Sequence, residues 1–129
     1  MKSFKLYLNE QITKDQLKQV EVYADKIFKK FNIDVEFTRH FFDRVNDARN
    51  GKDISAAELI SLFRKTQKKN GKNLATVNPG LEAVIKDMSS DINMPFVMQW
   101  DSASNEWDLI AKTVMRKKNF KTSNKVFDV

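Results

Sequence analysis

The stretch Asn78-Pro79-Gly80-Leu81-Glu82-Ala83-Val84-Ile85-Lys86-Asp87-Met88 divides the chain into two kinds of pattern. Asn-Pro-Gly is strong turn chemistry, because proline presets one φ and glycine accepts backbone angles that other residues resist. Leu81–Met88 then opens a series of short segments carrying β-branched and aromatic residues, continued by Met94–Trp100 and Trp107–Arg116. Such segments with polar connectors read as antiparallel strands. The polar run Asp101–Glu106 between two tryptophans marks a hairpin.

Upstream of the turn the apolar spacing is helical. Thr13-Lys14-Asp15-Gln16 has the spacing of a capping box, and Leu17, Val20, Ala24, Ile27, Phe28 and Phe31 follow on one stripe. They predict a helix over 14–31. After the connector Asn32–Val35, Thr38 caps a second helix whose buried face is Phe37, Phe41, Val45 and Ala48, with Asn50-Gly51 as its stop. Ser55-Ala-Ala-Glu58 starts a third, with Leu59, Ile60, Leu62, Phe63 and Thr66 on its apolar side, fraying into Lys68–Lys72. Helices first and strands second predict an α+β fold: three N-terminal helices packed on a small C-terminal antiparallel sheet of three to four strands. Residues 1–12 are set apart as an N-terminal segment, and 13–129 form a single domain.

Composition narrows the chemistry. At 129 residues, with 41% apolar and 31% charged types, the chain can bury one core. It has no cysteine and one histidine, which excludes disulfides, thiol catalysis and multi-imidazole zinc sites. Its three glycines, Gly51, Gly71 and Gly80, are too far apart for a phosphate-binding loop, so no nucleotide cofactor is expected. No apolar run approaches the ~18–20 residues of a membrane span, and no secretory leader is legible, so a reducing cytoplasm is the expected compartment.

The formal charge is +6 and unevenly spread. Arg64, Lys65, Lys68, Lys69 and Lys72 lie within 61–74, where there is no acid; Lys112, Arg116, Lys117, Lys118, Lys121 and Lys125 form a second group. Such groups attract polyanions by releasing condensed counterions, and they read equally as a solubilising surface. Arg64, Lys65, Lys68, Lys69, Arg116, Lys117 and Lys118 are the candidate nucleic-acid contacts. Few aromatics interleave with them in sequence, so base stacking is not indicated.

The single histidine sits in Phe37-Thr-Arg-His40-Phe-Phe-Asp43-Arg44-Val-Asn-Asp47-Ala-Arg49-Asn50. At ~100° per residue, His40, Arg44 and Asp47 share one shoulder of the second helix. Arg49 lies opposite if the helix stays regular and joins His40 only if it ends near Asp47. Imidazole populates both protonation states near neutral pH, and guanidinium neutralises charge on phosphorus, so the pair can serve phosphodiester cleavage once a strand adds a further cation. The same residues also read as an amphipathic boundary with a solvated ion-pair network. A metal held by His40, Asp43 and Asp47 is disfavoured by Arg44 between them.

Taken in order, His40-x3-Arg44-x4-Arg49, Asp53-Ile54-Ser55 with its capped helix, and Ala111-Lys112-Thr113-Val114-Met115 resemble the barnase–EndoU–colicin–RelE superfamily of small metal-independent ribonucleases. The resemblance spans roughly residues 36–116. It implies a site in which His40, Arg44 and Arg49 meet Lys112 and Thr113 of a late strand, RNA in preference to DNA as partner, and no cofactor. The whole chain is also similar to an uncharacterised family from tailed, T-even-like phages of marine bacteria. Its first residues, Met1–Glu10, are similar to the head-targeting peptides of internal proteins in such phages, with Leu8-Asn9-Glu10 matching a maturation-cleavage pattern that places the cut after Glu10. These likenesses imply action in the host cytoplasm, or packaging in the virion with phage head components as partners. The alternative is a non-catalytic basic phage protein that binds nucleic acid or a virion component. A third reading is assembly through Phe96, Trp100, Trp107 and Phe120.

Overall fold

Residues 11–129 are described by a computed structural model. Helix α1 (Lys14–Phe28) continues into a 3₁₀ turn (Lys29–Phe31), and strand β1 (Ile33–Phe37) follows. Helix α2 (Arg39–Val45) leads to a second 3₁₀ turn (Ala48–Asn50), and then comes the long α3 (Ala56–Leu74). Strands β2 (Leu81–Asp87), β3 (Ile92–Asp101), β4 (Glu106–Ala111), β5 (Met115–Arg116) and β6 (Lys125–Asp128) complete the chain.

The helix starts behave as their sequences dictate. Thr13 and Ser55 both close full capping boxes, and the Thr38 side chain accepts the Phe41 amide. Each satisfies amides that have no partner within the helix. α1 buries Leu17, Val20, Ala24 and Phe28, while α3 buries Leu59, Leu62, Phe63, Thr66, Gly71 and Leu74. Both pack on one face of the sheet, against Val35, Ile85, Met94, Phe96, Met98 and Leu109, all fully or nearly fully buried. Burying a side chain such as Phe63 stabilises by roughly 1.5–3 kcal/mol. Phe63 also sits edge-on to Phe28 and Phe37, tying α1, α3 and β1 together. Ile12 is 4% exposed and belongs to the same core; its amide and carbonyl are both held by the Asn46 side chain.

The sheet differs from expectation. It has six strands in the order β1-β4-β3-β2-β6, with β5 also paired to β3, and it is mixed. β1 is parallel to β4 and β6 is parallel to β2, so β3 alone runs against the others. The connector Asn32–Val35 is largely the edge strand β1, and Phe37 is a strand residue stacked on Phe41 at 4.4 Å. Five residues of alternating Ile-Asp-Val-Glu-Phe are too short to read as a strand until their parallel partner 74 residues away supplies the ladder. The outer edge of β1 is closed by α1: Asp25 Oδ1 accepts the Val35 amide at 2.6 Å, and Glu21 Oε2 accepts the Phe37 amide at 3.3 Å. Two carboxylates thereby protect an edge that would otherwise template foreign strands.

Two further expectations are corrected. α3 does not fray at its lysines but runs on to Leu74, because Leu74 is buried and cations in the last turns complement the helix dipole. Ala48 is exposed, since α2 ends at Val45 and the 3₁₀ turn points it outward. Phe96 is fully buried and cannot contribute to an assembly surface; Trp100 remains 41% exposed, edge-on to Trp107.

Candidate functional site

A cleft forms where the ladder along β3 is interrupted. β4 pairs with β3 as far as Ala111 opposite Phe96, and β5 resumes with Met115 opposite Asn93. Four steps on one strand match three on the other, so one extra residue makes a β-bulge. Pro95 is the cause. The Lys112 amide donates to the Pro95 carbonyl at 3.0 Å, but proline has no N–H to return. The Lys112 carbonyl instead accepts from Thr38 Oγ1 at 2.8 Å, and the same oxygen accepts the Phe41 amide at 3.1 Å. One hydroxyl starts α2 and anchors it to the bulge.

The far end of α2 is locked by Asn50, which is 8% exposed. Its Nδ2 donates to the carbonyls of Arg44 (3.0 Å) and Val45 (3.2 Å), and its Oδ1 accepts the Arg116 amide at 3.0 Å. Gly51, at φ 73°, closes the turn in a region that disfavours a side chain. Arg116 completes the wall. Its guanidinium donates to the carbonyls of Lys52, Asp53 and Ser90 and to Glu58 Oε1 at 2.7 Å. Burial alone would raise the Glu58 carboxyl, but the Arg116 and Ser55 hydrogen bonds bring it below its ordinary range.

The resulting cleft, about 580 Å³, is lined by His40, Arg44, Asp47, Arg49, Asn50, Thr113, Val114, Met115, Arg116 and Lys117. His40 is exposed, and its Nε2 accepts from Arg44 Nε at 3.1 Å, which requires the neutral ring with its proton on Nδ1. Arg44 also donates to Asp47 Oδ2 at 3.0 Å. Arg49 reaches the same carboxylate through Nη2 at 2.8 Å and through Nε at 3.2 and 3.3 Å. Asp47 in turn caps the 3₁₀ turn by accepting the Arg49 amide. Because α2 stops at Val45, Arg49 swings to the His40 side, as the sequence allowed. One carboxylate thus holds two guanidiniums in a fixed pair beside one imidazole.

His40, Arg44, Arg49 and Thr113 therefore share one cleft, and Lys112 does not. Side chains alternate along a strand, so Lys112 follows Asp108 and Ile110 to the opposite face, where its ammonium pairs with Glu82 of β2. Lys117, just after β5, is the lysine that lines the cleft. Among the remaining candidates, Arg116 is 13% exposed and spent on structure. Lys65 is held by Asp87 and Ser89, and Arg64 by the Tyr23 hydroxyl and ring. Lys68 and Lys69 line a separate cavity with Lys72, and Lys118 a neighbouring depression with Lys86 and Asp91. Glu10 lies outside the described residues. In sequence Asn50 is legible only as part of a helix stop, and Pro95 within an apolar strand marks an irregularity without showing where the ladder breaks.

Asp43 lies apart from His40 and Asp47, in a groove between α1 and α2, so those three do not converge on a metal. Among the described residues, Asp34, Glu106 and Asp108 have ligand oxygens within 4.8 Å of one another, a set able to hold a hard cation. Burial and mutual repulsion act there instead on protons. Burial first, then Asp108 and Asp34, push Glu36 up to about 7; burial raises Asp108, aided by Asp101, Asp34 and Glu106. Asp25 is pushed up to about 6 by burial, against the lowering effect of the Val35 amide. Asp34, Glu36, Glu106 and Asp108 lie on β1 and β4, away from the cleft, and Asp25 joins them from α1 at the outer edge of β1. Among the described residues no helix is long and apolar enough to cross a membrane. Comparisons with protein-family models, with curated proteins and with solved structures find no match for this chain.

Proposed function

We propose that this protein is a phage-encoded, ribonuclease-like protein that cleaves RNA without a metal cofactor, through the cleft of His40, Arg44, Arg49 and Thr113. The observation that carries the reading is the convergence of one exposed imidazole and two carboxylate-fixed guanidiniums from separate turns on a wall that also holds Thr113 and Lys117. Transesterification needs a base for the 2′-hydroxyl proton, cations for charge on phosphorus, and an acid for the departing 5′-oxygen. Phosphate entering the cleft competes for the Arg44 guanidinium, and this releases His40 Nε2 to take the proton. Arg49 and Lys117 neutralise the remaining charge and Thr113 donates a hydrogen bond; as the 2′-oxygen bonds to phosphorus the P–O5′ bond breaks, and the departing 5′-oxygen takes its proton from water. The requirement for a 2′-hydroxyl selects RNA over DNA. The protein would act in the host cytoplasm, after synthesis there or after delivery from the virion.

Total RNA incubated with the protein in chelator tests this. The parent is expected to cut, and His40→Ala to lose roughly 10²-fold or more in rate with its fold intact. Equal cleavage by both, or none by the parent, overturns the assignment in favour of a non-catalytic nucleic-acid-binding protein.

A further inference from the structure

At the far end of α3 from the cleft lies a second cationic concavity that the spacing of the sequence does not show. It is about 500 Å³ and lined by Lys30, Phe31, Gln67, Lys68, Lys69, Gly71, Lys72 and Asn73. Lys68, Lys69 and Lys72 come from α3, and Lys30 and Phe31 from the 3₁₀ turn after α1. Gly71 makes the junction possible: a Cβ there would lie 2.3 Å from Cε2 of Phe31, so only glycine lets the ring settle into the floor of the cavity. The Lys30 ammonium stands 5.3 Å from the centre of that ring. Among the described residues, none of Lys30, Lys68, Lys69 and Lys72 forms an ion pair, whereas Lys65 one turn earlier is neutralised by Asp87. Like charges at i,i+4, as at Lys68 and Lys72, oppose helix formation when no carboxylate relieves them. An external anion would relieve them.

We propose that this cavity is a docking site for the phosphate backbone of single-stranded nucleic acid, separate from the cleft. Four ammoniums around an aromatic floor are the combination that tracks a flexible strand, with cations on phosphates and a ring face or edge against a base. A duplex presents its phosphates on a convex cylinder and cannot lower them into a recess of this size. The separation also fits a strand. Glu58, which touches the cleft through Arg116, and Lys72 are fourteen residues apart on one helix, or roughly 21 Å at the α-helical rise. A segment within the ordinary range of about 4–16 nucleotides spans both. The proposal shares only its ligand class with the cleavage reading and does not depend on catalysis.

The test uses a fluorescein-labelled oligothymidylate of about twelve nucleotides, which lacks the 2′-hydroxyl and so reports binding alone. Its affinity is titrated at several salt concentrations for the parent, for Lys68→Gln/Lys69→Gln/Lys72→Gln, and for a charge-matched control, Lys14→Gln/Lys18→Gln/Lys26→Gln on α1. The α3 triple is expected to lower the slope of log affinity against log salt by about 2, at ~0.7 per phosphate, and to weaken binding roughly 10²-fold near 50 mM salt. The control should stay within a few-fold of the parent, and His40-dependent cleavage of a dinucleotide should persist in the α3 triple. Equal losses in both triples, or no loss in the α3 triple, overturn the docking site while leaving the cleft untouched. Competition by duplex DNA as effective as by the single strand overturns the single-strand assignment. Normal oligothymidylate binding with no RNA cleavage by the parent removes the cleft reading and leaves this one standing.

Discussion

Replacing Gly71 by alanine sets two known effects against each other. In a helix interior, alanine is favoured over glycine by about 0.8–1.0 kcal/mol. Here the added methyl would sit 2.3, 2.7 and 2.8 Å from three ring carbons of Phe31, so the ring must retreat by about an ångström to reach ordinary contact. Overpacking of that kind costs about 1–3 kcal/mol. Phe31 is only partly buried, at the rim of the core, so part of the clash relaxes by turning the ring towards solvent. We expect a net loss of about 1 kcal/mol, and a melting temperature lower by roughly 3–5 °C for a chain of this size. The discriminating measurement is a double-mutant cycle followed by urea denaturation. In a Phe31→Ala background the clash is gone, and Gly71→Ala should stabilise by about 0.8–1.0 kcal/mol, giving a coupling near 2 kcal/mol. A coupling below about 0.5 kcal/mol, or stabilisation by Gly71→Ala in the parent, would show that Phe31 does not occupy the space that glycine leaves.

The acidic face predicts an unusual pH dependence. Glu36, near 7, and Asp25, near 6, hold protons more tightly folded than unfolded. Their contribution is therefore fully present below the unfolded carboxyl values of about 4 and is lost as pH rises through 6 to 7. The urea midpoint at low salt should be higher at pH 5 than at pH 8, and Glu36→Gln should raise the unfolding free energy at pH 8 by on the order of 1 kcal/mol, a figure discounted for solvent screening of an exposed group. A midpoint that falls steadily from pH 8 to pH 5 would contradict this. Asn50→Ala removes three hydrogen bonds and leaves buried partners unsatisfied, so it should cost roughly 2 kcal/mol in thermal or urea unfolding. A change near zero would mean that Asn50 does not hold the cleft wall.

Much of the helical half was legible because its signals are local. The capping boxes at Thr13 and Ser55 and the stripes behind them involve residues three or four apart. The three later apolar segments were also readable, though the break at the bulge was not, since Pro95 acts only on a neighbour that pairing brings to it. β1 escaped because a five-residue segment beside a helix has no strong period of its own and is made a strand by β4. β6 escaped for the same reason, as a short exposed segment completed by β2.

The candidate cleft divides along the same line. His40, Arg44 and Asp47 could be placed together from sequence, because one helical turn fixes their spacing whatever surrounds them. Whether Arg49 joined them depended on where α2 ended; Lys112 is turned away by the alternation of β4, and Lys117 reaches them only beyond the bulge. Lys30 and Phe31 met Lys68–Lys72 only through the packing of α1 on α3 over a glycine. Sequence alone thus determined the elements whose stabilising contacts are near neighbours along the chain. The edge strands, the bulge and both cationic concavities were decided by tertiary structure, since each rests on hydrogen bonds or contacts between residues tens of positions apart.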